Sequence, residues 1–315
     1  REGVLLGFEC LEREADDADL HALLARAGAA HHVHVILSAN VFVAPLRALA
    51  LACAASPSVT VRPSPRDPTL AHALVEALAE DSVAVVEVRD VASVTAGEIH
   101  VYGRDATIAA VRDRVRPGVV VRGHGPGIGV AVVTRAADLR QAANALARDV
   151  VLFDQRGCLS PRLAFVEGDD RRGEAFATAM HDELTDWDSH APRGVLSFEE
   201  RAQVAAWQDT LTFAGRLFPG TGHLVGLLPH GAPVSWPPVG RHLAVWTAPK
   251  IEAFVHAIAP TAPFVVTVGS DDPDRARAVA PIHARMTRLG RMQRPPLDGP
   301  VDRRNEGQLG RSGAI

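Results

Sequence analysis

The segment around Cys158 places a reactive side chain among polar neighbours. It reads Phe-Asp-Gln-Arg-Gly-Cys-Leu-Ser-Pro-Arg over residues 153–162. A thiolate attacks carbonyls and thioesters, and a cysteine in a loop that leads into a helix would have its thiolate stabilised by the helix N-terminus. A free cysteine is otherwise a small buried hydrophobe. Cys53, in an apolar helical run, fits that alternative, whereas the polar surroundings of Cys158 favour a nucleophile.

Two further side chains could serve acyl transfer to this thiol. The attack creates an oxyanion that needs fixed donors, and Asn40 could supply its side-chain amide beside the backbone N–H of Cys158. Equally, Asn40 could only cap the following helix. His124, flanked by glycines, could take or return a proton. Because the chain has 14 histidines, a structural role is the alternative for His124.

The elements that must position these residues alternate between β-rich runs and amphipathic helices. This alternation predicts an α/β fold with a mostly parallel sheet, in which ligands bind at the carboxyl ends of the strands. A glycine-rich break over Gly123–Gly129 suggests a domain hinge, and a Gly/Pro-rich stretch interrupts the pattern over 219–240. Strands are predicted over 32–37, 58–61, 83–88, 99–102, 119–121, 130–133, 163–166 and 264–268, and helices over 44–55, 68–79, 105–115, 136–147, 174–184, 198–213 and 273–289.

Composition restricts the partners. The 315 residues are 47% hydrophobic and 22% charged, and the net charge of −4 offers no basic field for nucleic acid. Three cysteines are too few and too scattered for a disulfide framework or a metal site, which predicts a reducing, cytoplasmic setting. No apolar run approaches the roughly 20 residues needed to cross a bilayer. We therefore expect a small-molecule ligand and no membrane span.

Five segments, in order along the chain, resemble the LuxC-like fatty acyl-CoA reductases, a branch of the aldehyde dehydrogenase superfamily. Asp-Gln-x-x-Cys-x-Ser-Pro over 154–161 resembles the family's nucleophile loop, and Gly-His-Gly over 123–125 stands where hydrolytic relatives carry a glutamate base. The other three matches cover 38–50, with the Asn-containing loop and its helix, 61–68, with a Pro-Ser segment, and 289–298 near the C-terminus.

The resemblance implies an aldehyde-dehydrogenase-like fold with a Rossmann-type cofactor domain over 1–125, a catalytic domain over 126–290 and a tail over 291–315. It implies reduction of a fatty acyl-CoA to the aldehyde through a thioacyl enzyme on Cys158, with Asn40 and His124 in the site. Such enzymes are commonly oligomeric, and the bioluminescence relatives imply partner enzymes that supply the acyl group.

The same resemblance places the cofactor on the first domain, at Arg62, Ser64, Arg66 and Gly103. A guanidinium at Arg62 suits a 2′-phosphate and favours NADPH, with NADH as the alternative. Gly103 would let the pyrophosphate approach a helix N-terminus. The alternatives are that the two arginines lie in an ordinary solvated loop and that Asp105 merely caps the helix.

Two other functions stay open. One is a different acylating reductase that acts on a short acyl-CoA or an acyl phosphate. The other is a degenerate, non-catalytic member that serves as a binding subunit, because the Glu-x-Phe-Gly-Pro segment by which many aldehyde dehydrogenases hold the second ribose has no clear counterpart. The joint presence of Cys158, His124 and Asn40 argues against that second alternative.

Overall fold

The computed structural model describes residues 2–10, 17–78, 83–85 and 90–304. The chain divides into two compact units. The first unit comprises Gly7–Pro126 and Pro296–Asp302, and the second comprises Gly127–Pro295 with Arg1–Leu6 and Arg303–Ile315. No helix in the described part of the chain is both long and apolar enough to cross a membrane.

The first unit is built on a sheet whose described strands are all parallel, in the order β3-β2-β1-β4-β5. Apolar residues alternate along β2, where Val59 and Val61 face a core formed with α3 and α4. Ile99 and Val101 of β4 face a second core against α5. The elements from the start of the chain are α1 (Glu2–Glu9), α2 (Asp17–Ala27), β1 (Val33–Ile36), α3 (Ala44–Ala55), β2 (Val59–Arg62), α4 (Thr69–Leu78), β3 (Val83–Val85), β4 (Glu98–Tyr102), α5 (Asp105–Arg112) and β5 (Val120–His124).

The second unit contains a larger sheet in the order β12-β11-β6-β7-β10-β9-β8, parallel except where β8 meets β9. Every residue of β10 and β11 is buried, as expected for strands covered by helices on both faces. The elements are β6 (Ile128–Val133), α6 (Leu139–Val151), β7 (Pro161–Glu167), α7 (Asp170–His190), α8 (Phe198–Ala214), β8 (Arg216–Pro219), β9 (Leu224–Leu227), β10 (His242–Ala248), α9 (Ala253–Ile258), β11 (Val265–Ser270), α10 (Pro273–Arg277) and β12 (Arg285–Arg288).

The predicted α/β class with mainly parallel sheets is confirmed. The predicted helix over 273–289 is wrong beyond Arg277, because residues 285–288 form β12. The Gly/Pro-rich stretch over 219–240 contains β9, and β10 was not predicted. Residue 79 of the fourth helix, residues 86–88 of the third strand and residues 305–315 of the tail lie outside the described residues. The domain roles assigned to 1–125, 126–290 and 291–315 stay predictions.

Candidate active site

Four strands of the first unit end beside a residue that the sequence singled out. Asn40 lies in the loop after β1, Arg62 is the last residue of β2, Gly103 directly follows β4, and His124 is the last residue of β5. Because these strands are parallel, their carboxyl ends meet at one edge of the sheet. That edge is where open α/β sheets bind ligands.

Asn40 does not cap the helix that follows it. The N-cap position of α3 is Val43, which makes no side-chain capping hydrogen bond. The capping alternative for Asn40 is therefore wrong. Its side chain is exposed in the loop between β1 and α3, where the amide is open to solvent.

The end of β2 and the tight turn that follows it carry two arginines, Arg62 and Arg66. Ser64 is 8% exposed, its carbonyl oxygen accepts from the backbone N of Asp67 at 3.1 Å, and its Oγ accepts from the backbone N of Arg66 at 3.4 Å. Arg66 is exposed and Arg62 is half-buried. Two guanidinium groups four residues apart, at a strand end and in the following turn, suit a phosphate ester.

Gly103 links two strand ends, because its backbone N donates to the carbonyl oxygen of His124 at 3.1 Å. A Cβ at Gly103 would come no closer than 3.4 Å to Thr107, and no left-handed φ requires glycine here. The N-cap of α5 is Arg104, so the alternative that Asp105 caps this helix is wrong. The fold itself does not need glycine at this position, which fits a role in letting a ligand approach the helix N-terminus.

His124 is half-buried and stacks on the ring of Tyr102. Their ring centroids are 4.3 Å apart, and the planes differ by 12°. The pairing of β4 with β5 sets Tyr102 directly opposite His124 and thereby fixes the orientation of the imidazole. The rings of His124 and His100 are 6.1 Å apart, in an edge-to-face arrangement.

Behind this stack, Glu98 forms a largely buried ion pair with Arg122. Nη2 of Arg122 donates to Oε1 of Glu98 at 2.6 Å, and Nε2 of the fully buried His100 lies 3.1 Å from Oε2. Burial opposes ionisation of Glu98, but the hydrogen bonds from Arg122 and His100 prevail and hold its pKa at about 2. The carboxylate thus links the amino end of β4 to Arg122 in β5, two residues before His124.

Cys158 lies in the second unit, half-buried in a turn in which the backbone N of Ser160 donates to the carbonyl oxygen of Gly157 at 3.1 Å. β7 begins immediately after this turn, at Pro161. The expectation of a helix after Cys158 is therefore wrong, because the segment that follows this turn is a strand. The turn precedes the amino end of β7, whereas the sequence had directed attention to carboxyl ends.

Two glycines allow the chain before β7 to pack directly against β6. A Cβ on Gly127 would lie 3.1 Å from Cβ of Cys158, and a Cβ on Gly129 would lie 2.3 Å from the carbonyl oxygen of Leu159. The backbone N of Gly129 also donates to the carbonyl oxygen of Ser160 at 2.9 Å. These glycines serve close packing against the nucleophile turn, which we define as residues 157–160.

Before the nucleophile turn, three successive residues adopt the left-handed conformation. The φ angles are 57° for Phe153, 48° for Asp154 and 60° for Gln155. For residues other than glycine this conformation costs roughly 1–2 kcal/mol each. Surrounding contacts must hold such a segment in place.

Asp149, fully buried near the end of α6, connects this helix to the segment after β12, which in turn reaches the nucleophile turn through Gln293. Its carboxylate accepts from the backbone N of Gly290 at 2.6 Å and of Met292 at 3.0 Å. Nε2 of Gln293 donates to Oγ of Ser160 at 2.9 Å. Burial raises the pKa of Asp149 to about 7, against the lowering effect of backbone hydrogen bonds from Gly290, Met292 and Gln293.

Several of these residues were missed by sequence reasoning. Asp149 could have been found as a carboxylate on the apolar face of an amphipathic helix. Gln293 lies within a segment already matched to the LuxC-like family, but nothing in the sequence shows that it bonds to Ser160. The stacking of Tyr102 on His124 depends on strand register, which the sequence pattern does not give.

The fold is that of the aldehyde dehydrogenases. A benzaldehyde dehydrogenase from Corynebacterium glutamicum, described as NAD-dependent, superposes with a TM-score of 0.62 at 17% identity, over 83% of this chain and 64% of its own. An aldehyde dehydrogenase from Mycobacterium tuberculosis in complex with NAD⁺ gives 0.61 at 18% identity, over 81% and 59%.

A third structure, the NADP-dependent glyceraldehyde-3-phosphate dehydrogenase from Bacillus halodurans with bound NADP, gives a TM-score of 0.61 at 18% identity, over 84% of this chain and 61% of its own. The chain thus spans about three fifths of the length of these structures. Among curated proteins, no match was found.

Within this fold, the chain belongs to the LuxC family. The family's model, described as acyl-CoA reductase (LuxC), matches residues 21–302, which is most of the chain. The resemblance seen in the sequence is therefore confirmed.

Proposed function

We propose that this protein reduces a fatty acyl-CoA to the aldehyde, with NADPH as reductant and Cys158 as nucleophile. The observation that carries the proposal is the LuxC family match over 21–302, which includes the polar turn that exposes part of Cys158. The dehydrogenase fold supports a nicotinamide cofactor.

In the proposed reaction, the Cys158 thiolate attacks the thioester carbonyl carbon and forms a new carbon–sulfur bond. CoA leaves as a thiolate and is protonated, so the acyl group remains on the enzyme as a thioester. When bound, the reduced nicotinamide supplies a hydride to this acyl carbon. The resulting thiohemiacetal then breaks its carbon–sulfur bond, which releases aldehyde and restores Cys158.

The other proposed roles follow the family resemblance residue by residue. The amide of Asn40 and the backbone N–H of Cys158 are the proposed oxyanion donors, and His124 is the proposed proton donor to the departing CoA thiolate. No water is activated in this cycle, so a histidine in place of a glutamate base suits reduction. Homo-oligomerisation and an acyl-supplying partner enzyme stay predictions.

The first unit contains groups that fit the adenosine half of the cofactor. We propose that Arg62 and Arg66 bind the 2′-phosphate, that Ser64 contacts the ribose, and that Gly103 admits the pyrophosphate. The turn that fixes Ser64 and the unobstructed position at Gly103 support this assignment. Replacing both arginines with glutamine should weaken NADPH binding far more than NADH binding.

The decisive experiment follows NADPH oxidation with acyl-CoAs of graded chain length and with an acyl phosphate. Cys158→Ala should abolish both aldehyde formation and the acyl adduct seen by intact-mass analysis. Cys53→Ala is the matched control, because Cys53 on α3 is exposed, contrary to the burial expected from its apolar run, and should be dispensable. Normal turnover by Cys158→Ala would overturn the assignment.

The same assay distinguishes the alternatives. Activity confined to short acyl-CoAs or acyl phosphate would indicate a different acylating reductase. Failure to bind NADPH or NADH in a calorimetric titration would indicate a non-catalytic binding subunit.

A further inference from the structure

The left-handed segment before the nucleophile turn is bound to the chain that enters β10. The carbonyl oxygen of Asp154 accepts from the backbone N of Gly240 at 3.0 Å. Its carboxylate accepts from Nε of Arg241 at 2.7 Å and from the backbone N of Gly194 at 3.0 Å. Three contacts from two distant parts of the chain therefore fix this one strained residue.

Gln155 is bound even more completely and is only 1% exposed. Its Nε2 donates to the carbonyl oxygens of Pro161, at 2.7 Å, and His242, at 2.8 Å, while its Oε1 accepts from the backbone N of His242 at 2.7 Å. Pro161 begins β7 directly after the nucleophile turn. One side chain thus holds the residues on both sides of that turn at a constant separation.

Arg241, which is 4% exposed, connects the segment to a second carboxylate, that of the half-buried Asp188. Its Nη1 donates to the carbonyl oxygen of Ala191 at 2.5 Å and lies 3.7 Å from Oδ1 of Asp188. The φ of Arg241 is itself 67°, so a left-handed residue stands on each side of the ion pair. Asp154, Gln155 and Arg241 thus form one connected set of hydrogen bonds around the strained segment, which we call the clamp.

We propose that Gln155, Asp154 and Arg241 are positioning residues that set the orientation of the Cys158 thiol. The proposal rests on the proposed function, in which Cys158 is the nucleophile. Strain of this kind persists where the surroundings over-determine it, and here the strained segment leads directly into the nucleophile turn. A Cβ on Gly127 would lie 3.1 Å from Cβ of Cys158, so glycine at position 127 lets the start of β6 lie close to the nucleophile turn.

If the clamp only stabilises the fold, breaking it would lower the melting temperature but leave the reactivity of the Cys158 thiol unchanged in molecules that remain folded. If the clamp also positions the thiol, breaking it would change both the melting temperature and the thiol reactivity. The test therefore needs a direct measurement on Cys158 that does not depend on acyl-CoA turnover.

The experiment measures the iodoacetamide alkylation rate of Cys158 across a pH series, read by mass spectrometry of the peptide that contains it. Gln155→Met and Arg241→Met are compared with Arg275→Met. Arg275 is the matched control, because its Nη2 donates to the buried Glu167 at 2.6 Å in the same unit, away from the nucleophile turn. Circular dichroism and melting temperature establish that each variant is folded.

We expect the alkylation rate to change at least about fivefold in both clamp variants, with a shifted pH midpoint, and kcat to fall about tenfold with KM nearly unchanged. Arg275→Met should lower the melting temperature and leave the alkylation profile as in wild type. Folded clamp variants whose rate and pH midpoint match those of Arg275→Met would overturn the proposal.

A replacement variant covers a failure to fold, and the Cys158→Ala result separates a failure of the positioning role from a failure of the proposed function. If either clamp variant does not fold, Asp154→Asn replaces it, since asparagine tolerates the left-handed conformation and removes only the charge that pairs with Arg241. If Cys158→Ala still reduces acyl-CoA, the proposed function fails while the alkylation result stands. If Cys158→Ala is inactive but the clamp variants behave as wild type, only the positioning role fails.

Discussion

The buried carboxylate of Asp149 should make the stability of the second unit depend on pH in a direction opposite to that of most carboxylates. Burial raises its pKa from 3.8 to about 7 in the folded protein. The folded state therefore keeps a proton that the unfolded chain releases between these two values. Its stabilising contribution is complete below pH 3.8 and is lost as the pH rises towards 7.

The size of this effect follows from the two pKa values. A difference of about three units, at 1.36 kcal/mol per unit, gives roughly 4 kcal/mol as an upper figure. We expect the free energy of unfolding of wild type minus that of Asp149→Asn to fall by about 1.4 kcal/mol per pH unit between about pH 4.5 and 6.5, and to level off above about pH 7.5. Asparagine cannot ionise and carries no such slope.

Urea unfolding at several pH values, followed by tryptophan fluorescence, measures this difference. All four tryptophans, at positions 187, 207, 236 and 246, lie in the second unit, so the signal reports on it. Asp138→Asn, at the exposed N-cap of the same helix, is the control and should keep the wild-type slope because Asp149 remains. A difference that stays constant from about pH 5 to pH 8 would refute the reasoning, since the donors at Gly290 and Met292 would then outweigh burial.

Two further predictions concern packing and charge. Gly129→Ala should lower the free energy of unfolding, measured by urea titration, by at least about 2 kcal/mol, because the added Cβ would overlap the carbonyl oxygen of Leu159. Gly103→Ala is the control: its Cβ would make only ordinary contacts, so the free energy of unfolding should not fall by this amount. Glu98→Gln should lower stability by about 3 kcal/mol at pH 7, since it leaves Arg122 without its carboxylate. The Glu98 contribution is present above pH 4.5 and is lost as the pH falls towards 2, so circular dichroism should find the two proteins converging in acid; a gap that persists at about pH 2 would contradict this account.

Sequence patterns predicted the elements of the first unit from β1 onwards closely because these carry local signals, whereas α1 and α2 were not predicted. The helix predicted over 44–55 matches α3 at both ends, and the strand predicted over 99–102 differs from β4 by one residue. Alternating strands and helices with short connections leave few possible topologies. The candidate residues at the strand ends followed from that arrangement once the family resemblance was seen.

The second unit was harder to predict, for identifiable physical reasons. β10 is buried along its whole length, so it shows neither the alternation of an exposed strand nor the period of an amphipathic helix. The helix start signal at Pro273 is not followed by a clear stop signal, so the predicted helix ran on through the residues that form β12. The conformation of residues 153–155 could not be predicted at all, because left-handed Phe, Asp and Gln depend on partners that are distant in sequence.

The location of the nucleophile turn explains why distant residues bond to it and to the residues beside it. In the first unit, candidate residues lie where parallel strands end, so the sheet itself gathers them. The nucleophile turn instead precedes the amino end of β7. Buried side chains hold it: Gln155 bonds to Pro161 directly after the turn, and Gln293 bonds to Ser160 within it. These anchors come from β10 and from the segment after β12, so the turn can form only when most of the second unit has folded. The native reactivity of the Cys158 thiol should therefore be lost in the same cooperative transition in which the core of this unit unfolds.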